Sequence, residues 1–259
     1  MVKFLLIATA AASLAGSTVF SYNACLKRAD RHPDEALEMA MGALQDGDDP
    51  GAEHCAAVAL VGLRHYGEAA KRLDALARKA SAGGAEERAQ IMSQAGNAWL
   101  LAGQPELAMA SFTAALGLMP GEAVFLIDRS RSSALLKKWT AAETDLSAAL
   151  VAEPGNVEAL VLRSSARRAQ KNMQGAMGDV TQALVLSPDY PEALVERGLL
   201  RSRLGDKAGA RKDFFRVLEL AASEDRKTAD GAREAAVTAQ REIERIETAP
   251  KKPGLKVTN

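Results

Sequence analysis

The chain has 259 residues, of which 47% are hydrophobic and only 4% aromatic, and its 33 basic side chains equal its 33 acidic ones. A formal charge of zero argues against a general polyanion binder, because nucleic-acid binding depends on a net basic surface. We therefore expect no nucleic-acid partner. The abundance of Ala, Leu, Glu, Arg and Lys favours helices over strands.

Residues 1–24 have the composition of an export signal. Lys3 precedes a long uncharged stretch that leads into small residues, which is the order of a basic start, an apolar segment and a cleavage site. Cleavage is expected after Ala15 or near Ala24. The alternative is an uncleaved membrane anchor, because the uncharged stretch reaches Leu26 and is long enough to span a bilayer. The segment thus predicts an exported, periplasmic protein, or an inner-membrane protein if the signal stays attached.

The chain contains two cysteines, Cys25 and Cys55. In an oxidising compartment such a pair suggests a disulfide, which would close a loop of about 30 residues and stabilise the fold by on the order of 3 kcal/mol. The alternative is two small, buried apolar side chains. Adding His32 and His54 gives a two-Cys, two-His set, but His54 and Cys55 would point about 100° apart on a helix and the spacing fits no standard zinc pattern. We predict no metal site.

One pattern recurs along most of the chain with a period of 34 residues. The pattern is anchored on four alanines: Ala108, Ala142, Ala176 and Ala210. A small residue stands twelve positions before each alanine: Gly96, Ser130, Ser164 and Gly198. A bulky residue stands four positions after it: Phe112, Leu146, Val180 and Phe214. Antiparallel helices that pack closely need small side chains where they cross and bulky ones nearby, so the period predicts a series of helix pairs.

A 34-residue helix–turn–helix with small residues at places 8 and 20 and proline at place 32 resembles the tetratricopeptide repeat (TPR). Four regular units occupy residues 89–222, counted from positions 89, 123, 157 and 191, and divergent N-terminal repeats occupy residues 25–88. The family's usual Trp at place 4 is replaced by apolar residues, namely Met92, Leu126, Leu160 and Leu194. The resemblance implies an all-α fold, an α-solenoid of tandem helix–turn–helix repeats that form a right-handed superhelix.

Residues 223–248 predict one further helix. Its apolar side chains share a face: Ala232, Ala236, Ala239, Ile243 and Ile246. A stack of repeats ends in an exposed apolar surface that a helix with a polar outer side can cover, so we interpret this segment as a capping helix. The tail, residues 249–259, has little to bury and is expected to be disordered.

An arginine recurs at place 7 of three units, and an aspartate follows it sixteen residues later. The arginines are Arg129, Arg163 and Arg197, and the aspartates are Asp145, Asp179 and Asp213. In the unit at 89–122 both places are neutral, with Ala95 and Ser111, so the two charges are gained or lost together. We interpret them as structural ion pairs, formed either within a unit or between one unit's aspartate and the next unit's arginine. The alternative is a row of arginines presented to an anionic ligand.

The resemblance also implies where a partner binds. Family members use a surface lined by places 2, 5, 9, 12 and 13 of their first helices, which we call the first-helix groove. Its candidate residues are Asn97, Leu101, Ile127, Arg131, Val161, Arg168, Val195, Leu199 and Arg203. They offer apolar contacts and hydrogen-bond donors to a protein or peptide. The carboxylate clamp of co-chaperone members is not expected, because acidic Asp128 and Glu158 stand where an amide and a cation are needed.

The sequence contains no P-loop, dinucleotide-binding G-x-G-x-x-G, H-E-x-x-H or G-x-S-x-G motif. We predict no catalytic residues and no cofactor. The predicted function is a non-enzymatic protein–protein interaction module, as a periplasmic adaptor or assembly factor. The alternative is a membrane-anchored or self-associating structural scaffold. Neither the partner nor the oligomeric state follows from the sequence, because fold does not fix function.

Overall fold

The computed structural model of the protein describes residues 20–248. Within that range every regular element is a helix. The chain divides between His65 and Tyr66 into two compact units, which we call unit 1 and unit 2; the sequence had predicted a boundary at 88/89. Most of the predicted signal, and the predicted disordered tail, lie outside the described residues.

In residues 20–65, unit 1 contains three helices that all contact one another. They are α1 (Tyr22–Ala29), α2 (Pro33–Gln45) and α3 (Pro50–Gly62). Prolines occupy the first position of α2 and α3, where their missing N–H costs nothing. Asp49 caps α3 by accepting from the backbone N–H groups of Gly51 and Ala52 at 2.8 and 3.0 Å. Cys25 of α1 and Cys55 of α3 are fully buried and joined in a disulfide.

Unit 2 is a stack of helix pairs. Its helices are α4 (Tyr66–Ala77), α5 (Ala85–Leu101), α6 (Pro105–Leu118), α7 (Ala123–Leu135), α8 (Trp139–Ala152), α9 (Val157–Ala169), α10 (Met173–Leu186), α11 (Pro191–Leu204), α12 (Lys207–Ala221) and α13 (Arg226–Thr248), with a single 3-10 turn at Ala80–Ala82. The four pairs α5/α6, α7/α8, α9/α10 and α11/α12 match the four predicted 34-residue repeats. First helices of successive pairs contact one another, and α13 packs on α11 and α12, as expected of a capping helix.

The turn inside each pair uses the same backbone conformation. Place 15 has a positive φ in all four 34-residue repeats: Gly103 (70°), Lys137 (56°), Lys171 (66°) and Gly205 (92°). The second helix is then capped by side chains in two of the pairs, where Asn172 accepts from the N–H of Gly175 and Asp206 from that of Gly209. Local chemistry therefore ends one helix and starts the next within a few residues.

The residue at place 8 is smallest in the repeats where the residue at place 24 is largest. A Cβ added to Gly96 would lie 2.6 Å from the ring of Phe112, and one added to Gly198 would lie 2.5 Å from the ring of Phe214. Both rings are fully buried. Where place 8 is serine, place 24 is the smaller Leu146 or Val180. Glycine thus lets the two helices of a pair approach closely enough to enclose a phenylalanine.

Candidate protein-binding surface

The recurring arginines bind aspartates within their own helix pair. Each guanidinium makes two hydrogen bonds, from Nε and Nη2, to the two oxygens of one carboxylate. The distances are 2.9 and 2.7 Å for Arg129–Asp145, 3.0 and 2.8 Å for Arg163–Asp179, and 3.0 and 2.7 Å for Arg197–Asp213. All three aspartates are buried. Of the arrangements left open by the sequence, the structure has the pair within a unit, which leaves these arginines committed to the fold.

A second set of arginines, at place 11, was not predicted from the sequence to form ion pairs. Arg167 donates from Nη1 to Asp179 and from Nε to Glu143, both at 2.8 Å, and Arg201 donates to Asp213 at 2.8 Å. The hydrogen bond from the Nε of Arg167 is the main reason that the pKa of Glu143 lies below its usual value. The available signal was the spacing, since each place-11 arginine follows a paired arginine by four residues on the same helix face.

Two of the predicted donors of the first-helix groove are bound to acidic side chains of the same surface. Arg131 makes ion pairs with Asp128 and with Glu158 of the next pair, and the Nδ2 of Asn97 lies 3.4 Å from the Oδ2 of Asp128. Burial raises the pKa of Asp128, and Arg131 opposes that rise. The result is a series of hydrogen bonds and ion pairs that joins α5, α7 and α9 and presents acids where a carboxylate clamp would present an amide and a cation.

Arg168 is also engaged, whereas Arg203 is not. Arg168 donates from Nε and Nη2 to the buried carboxylate of Glu196, at 2.6 and 2.9 Å. Arg203 is exposed on α11, and no acidic partner binds it within the described residues. A partner would therefore find one unpaired cation, Arg203, among the three arginines predicted for this surface.

The apolar candidates also differ in exposure. Ile127 and Val161 are only 4% and 8% exposed, which corrects the prediction that they line the first-helix groove, because both belong to the buried apolar core of the stack. Val195 and Leu199 are half-buried against the core. Leu101 remains 58% exposed.

Place 13 is exposed in all four units. Its residues, which we call the place-13 row, are Leu101, Leu135, Ala169 and Arg203. Leu135 is 63% exposed, and it lies on α7, which contacts the α5 helix that carries Leu101. Exposed leucines at the same place of touching helices make this row the clearest apolar surface among the residues proposed for partner binding.

Other classes of site find little support in the described residues. No group of three or more His, Cys, Asp or Glu side chains is arranged to hold a metal ion in residues 20–248. In the same range no helix has both the length and the hydropathy to cross a membrane. In unit 1, the hydroxyl of Tyr22 lies 2.8 Å from Nδ1 of His54, which ties the start of α1 to α3.

Comparisons with known proteins find the tetratricopeptide repeat in part of the chain. Residues 162–236 match the family model described as tetratricopeptide repeat. No curated protein sequence matches the chain significantly. The solved structure of MamA from its residue 41 onward, from Desulfovibrio magneticus RS-1, is 21% identical and has a TM-score of 0.60, over 69% of this chain and 98% of that chain.

Two further structures are similar. The MamA RS-1 ArsTM double mutant is 21% identical with a TM-score of 0.59, over 70% of this chain and 98% of that chain. The first TPR of Spaghetti (RPAP3), bound to the HSP90 peptide SRMEEVD, is 25% identical with a TM-score of 0.45, over 46% of this chain and 95% of that chain. The family match shows tetratricopeptide repeats within residues 162–236, and the stacked helix pairs from α5/α6 to α11/α12 have the helix–turn–helix form of that repeat.

Proposed function

We propose that the protein is a non-enzymatic interaction module that binds a protein or peptide partner in the first-helix groove, as a periplasmic adaptor or assembly factor. The observation that carries this proposal is the place-13 row, where Leu101 and Leu135 are more than half exposed on touching helices. Repeat solenoids use such extended surfaces for binding, and exposed apolar side chains that cluster mark interaction sites.

The charges of the first-helix groove favour one kind of ligand. Asp128 and Glu158 lie beside Arg131 and Asn97, so a free C-terminal carboxylate would meet acids already at that point. Arg203, at the end of the place-13 row, is available to an acidic side chain or a backbone carbonyl. We expect a partner segment with apolar side chains against Leu101 and Leu135 and an acceptor near Arg203.

The compartment is part of the proposal. Export is supported by the disulfide between Cys25 and Cys55, because disulfides persist in oxidising environments. Helix α1 begins at Tyr22, whose hydroxyl bonds His54, so cleavage near Ala24 would remove the first turn of a packed helix. Cleavage after Ala15 would leave that helix whole, and it is the site we favour.

Single substitutions that introduce a charge test the binding surface. The Leu135→Glu variant places a charge in the place-13 row, and Ala148→Glu is a matched control on an exposed position of α8. Tagged proteins are expressed in the source cells and the co-purified proteins are compared by quantitative mass spectrometry. We expect at least one partner to be lost with Leu135→Glu and kept with Ala148→Glu. Equal recovery of every partner by both variants would refute the proposed surface.

A self-associating scaffold is the second candidate, and one observation favours it. Val151 and Val185 occupy the same place on α8 and α10 and are 82% and 75% exposed, which offers a second apolar surface for contact between copies. Sedimentation velocity over a hundredfold concentration range distinguishes the two candidates. A mass that rises with concentration and returns to the monomer in a Val151→Asp, Val185→Asp variant supports the scaffold.

A further inference from the structure

The arginine at place 11 binds the aspartate of its own helix pair in two of the repeats. Between α8 and α10 the side chain of Arg167 reaches both helices, because it binds Glu143 on α8 and Asp179 on α10. In the next pair Arg201 binds Asp213 and the carbonyl of Gly209 on α12. These arginines cover the buried end of the Arg–Asp ion pair with a second guanidinium.

In the α7/α8 pair the same place holds a serine, Ser133, which is nearly fully buried. A cleft of about 790 Å³ opens there between α6 and α8, with Arg129 and Ser133 of α7 also in its lining. We call it the α6–α8 cleft. Among the described residues, Asp145 accepts hydrogen bonds from Arg129 alone, whereas its counterparts Asp179 and Asp213 each also accept from a place-11 arginine. The cleft thus has space beside an acceptor, Asp145, that lacks the second guanidinium which its counterparts bind.

The lining suits a side chain with an apolar stem and a cationic end. Met109, Ala110 and Ala141 give it apolar walls. Glu106 and Asp145 are its acidic residues and Arg129 is its basic one, so the charges within the lining sum to minus one. An aliphatic stem can lie along such walls while the charged head binds the carboxylate.

We propose that the α6–α8 cleft binds an arginine side chain of a partner protein, in the position that Arg167 takes one repeat later. The partner's guanidinium donates to Asp145, as Arg167 does to Asp179, and lies near Glu106, the other acidic residue of the lining. This site is separate from the first-helix groove and stands whether or not that surface binds a partner.

A small probe tests the site directly. N-acetyl-arginine N-methylamide is titrated into protein labelled with ¹³C at the methionine methyl groups, and the resonance of Met109 is followed by NMR. We expect a saturable shift with a Kd on the order of millimolar, since the probe is a single residue. N-acetyl-citrulline N-methylamide has the same shape without the charge, and we expect it to bind at least fivefold more weakly.

Three variants locate the binding. Ser133→Arg supplies the missing guanidinium from within, and Ala141→Leu narrows the cleft at an exposed position; both should abolish saturation. Glu106→Gln should weaken binding about two- to fivefold, the effect of one partly exposed charge. Ala148→Leu, on the same helix outside the lining, should bind as the wild type does.

Each result of these titrations either supports or overturns the proposed arginine site. Loss of the shift in Ala141→Leu together with preference for arginine over citrulline supports the proposal, even if Ser133→Arg fails to fold. Absence of a saturable Met109 shift overturns the proposal, and so does equal binding of arginine and citrulline. An unchanged titration in Ala141→Leu places the probe elsewhere and likewise overturns it.

Discussion

Replacing Gly198 by alanine tests the close approach of α11 and α12. The added Cβ would lie 2.5, 2.8 and 2.9 Å from three carbons of the Phe214 ring, and that ring is fully buried, so either the helices or the ring must move. Overpacking of this kind costs about 1–3 kcal/mol. Alanine also stabilises a helix interior by about 1 kcal/mol relative to glycine. The free energy of unfolding should therefore change by between about 0 and −2 kcal/mol.

A matched glycine separates the two effects. Gly178 lies in the interior of α10 with no atom within 4 Å of an added Cβ, so Gly178→Ala should raise the free energy of unfolding by about 1 kcal/mol. The difference between the two variants then isolates the overpacking at Gly198. Both free energies are measured by urea unfolding followed by circular dichroism.

The Phe214→Val background completes the test, because together with Gly198→Ala it approximates the pair of sizes found at Ser164 and Val180. Phe214→Val alone should destabilise the protein by about 2–4 kcal/mol through the cavity that it leaves. In that background Gly198→Ala should become stabilising, since the ring atoms that it approached are gone. The reasoning fails if Gly198→Ala stabilises the wild type as much as Gly178→Ala does, or if Phe214→Val leaves its effect unchanged.

Three further predictions concern charge, redox state and processing. Burial raises the pKa of Asp128, so the ionisation of this carboxyl lowers the stability of the fold as the pH rises through that raised pKa. The melting temperature of Asp128→Asn should therefore rise relative to that of the wild type between about pH 3 and pH 7. The pKa of Glu143 is lowered mainly by its hydrogen bond from Arg167, so the ionised carboxylate stabilises the fold at neutral pH and this stabilisation is lost on acidification. The loss of melting temperature caused by Glu143→Gln should therefore shrink towards pH 3. If the melting temperatures of the two variants depended on pH in the same way, both assignments would be contradicted. Reducing the Cys25–Cys55 disulfide should destabilise unit 1 by on the order of 3 kcal/mol and speed amide exchange in α3, and unchanged exchange would mean that the cross-link does not stabilise the unit. The intact mass of protein from source cells should correspond to cleavage after Ala15, and a mature chain beginning at Cys25 would refute that site.

The helix pairs could be predicted because their signals are local. The small residue at place 8 and the alanine at place 20 recur in every regular repeat. The helices of the structure begin and end in the same register. The Arg–Asp pairs were predictable for a related reason, since both charges are present or absent together in each unit. Periodicity carries information about contacts that every repeat makes in the same way.

The surface was harder to predict because its contacts are not periodic. Arg131 meets Glu158 and Arg168 meets Glu196, pairings made by single units that no other unit repeats at those places. Ile127 is buried in a core to which several helices contribute, and the sequence of one helix does not express that packing. The consequence of Ser133 for the α6–α8 cleft needed the structure as well, because a serine among helical residues carries no mark of the space beside it.

The central claim is that the place-13 row contacts a partner in the cell. A photo-crosslinking amino acid placed at Leu101 or Leu135 should yield the same cross-linked protein, and one at Gln182, exposed on α10, should not. The partner recovered from those cross-links should then bind purified Leu135→Glu more weakly than Ala148→Glu. Cross-links from Gln182 alone, or from none of the three positions, would contradict the account.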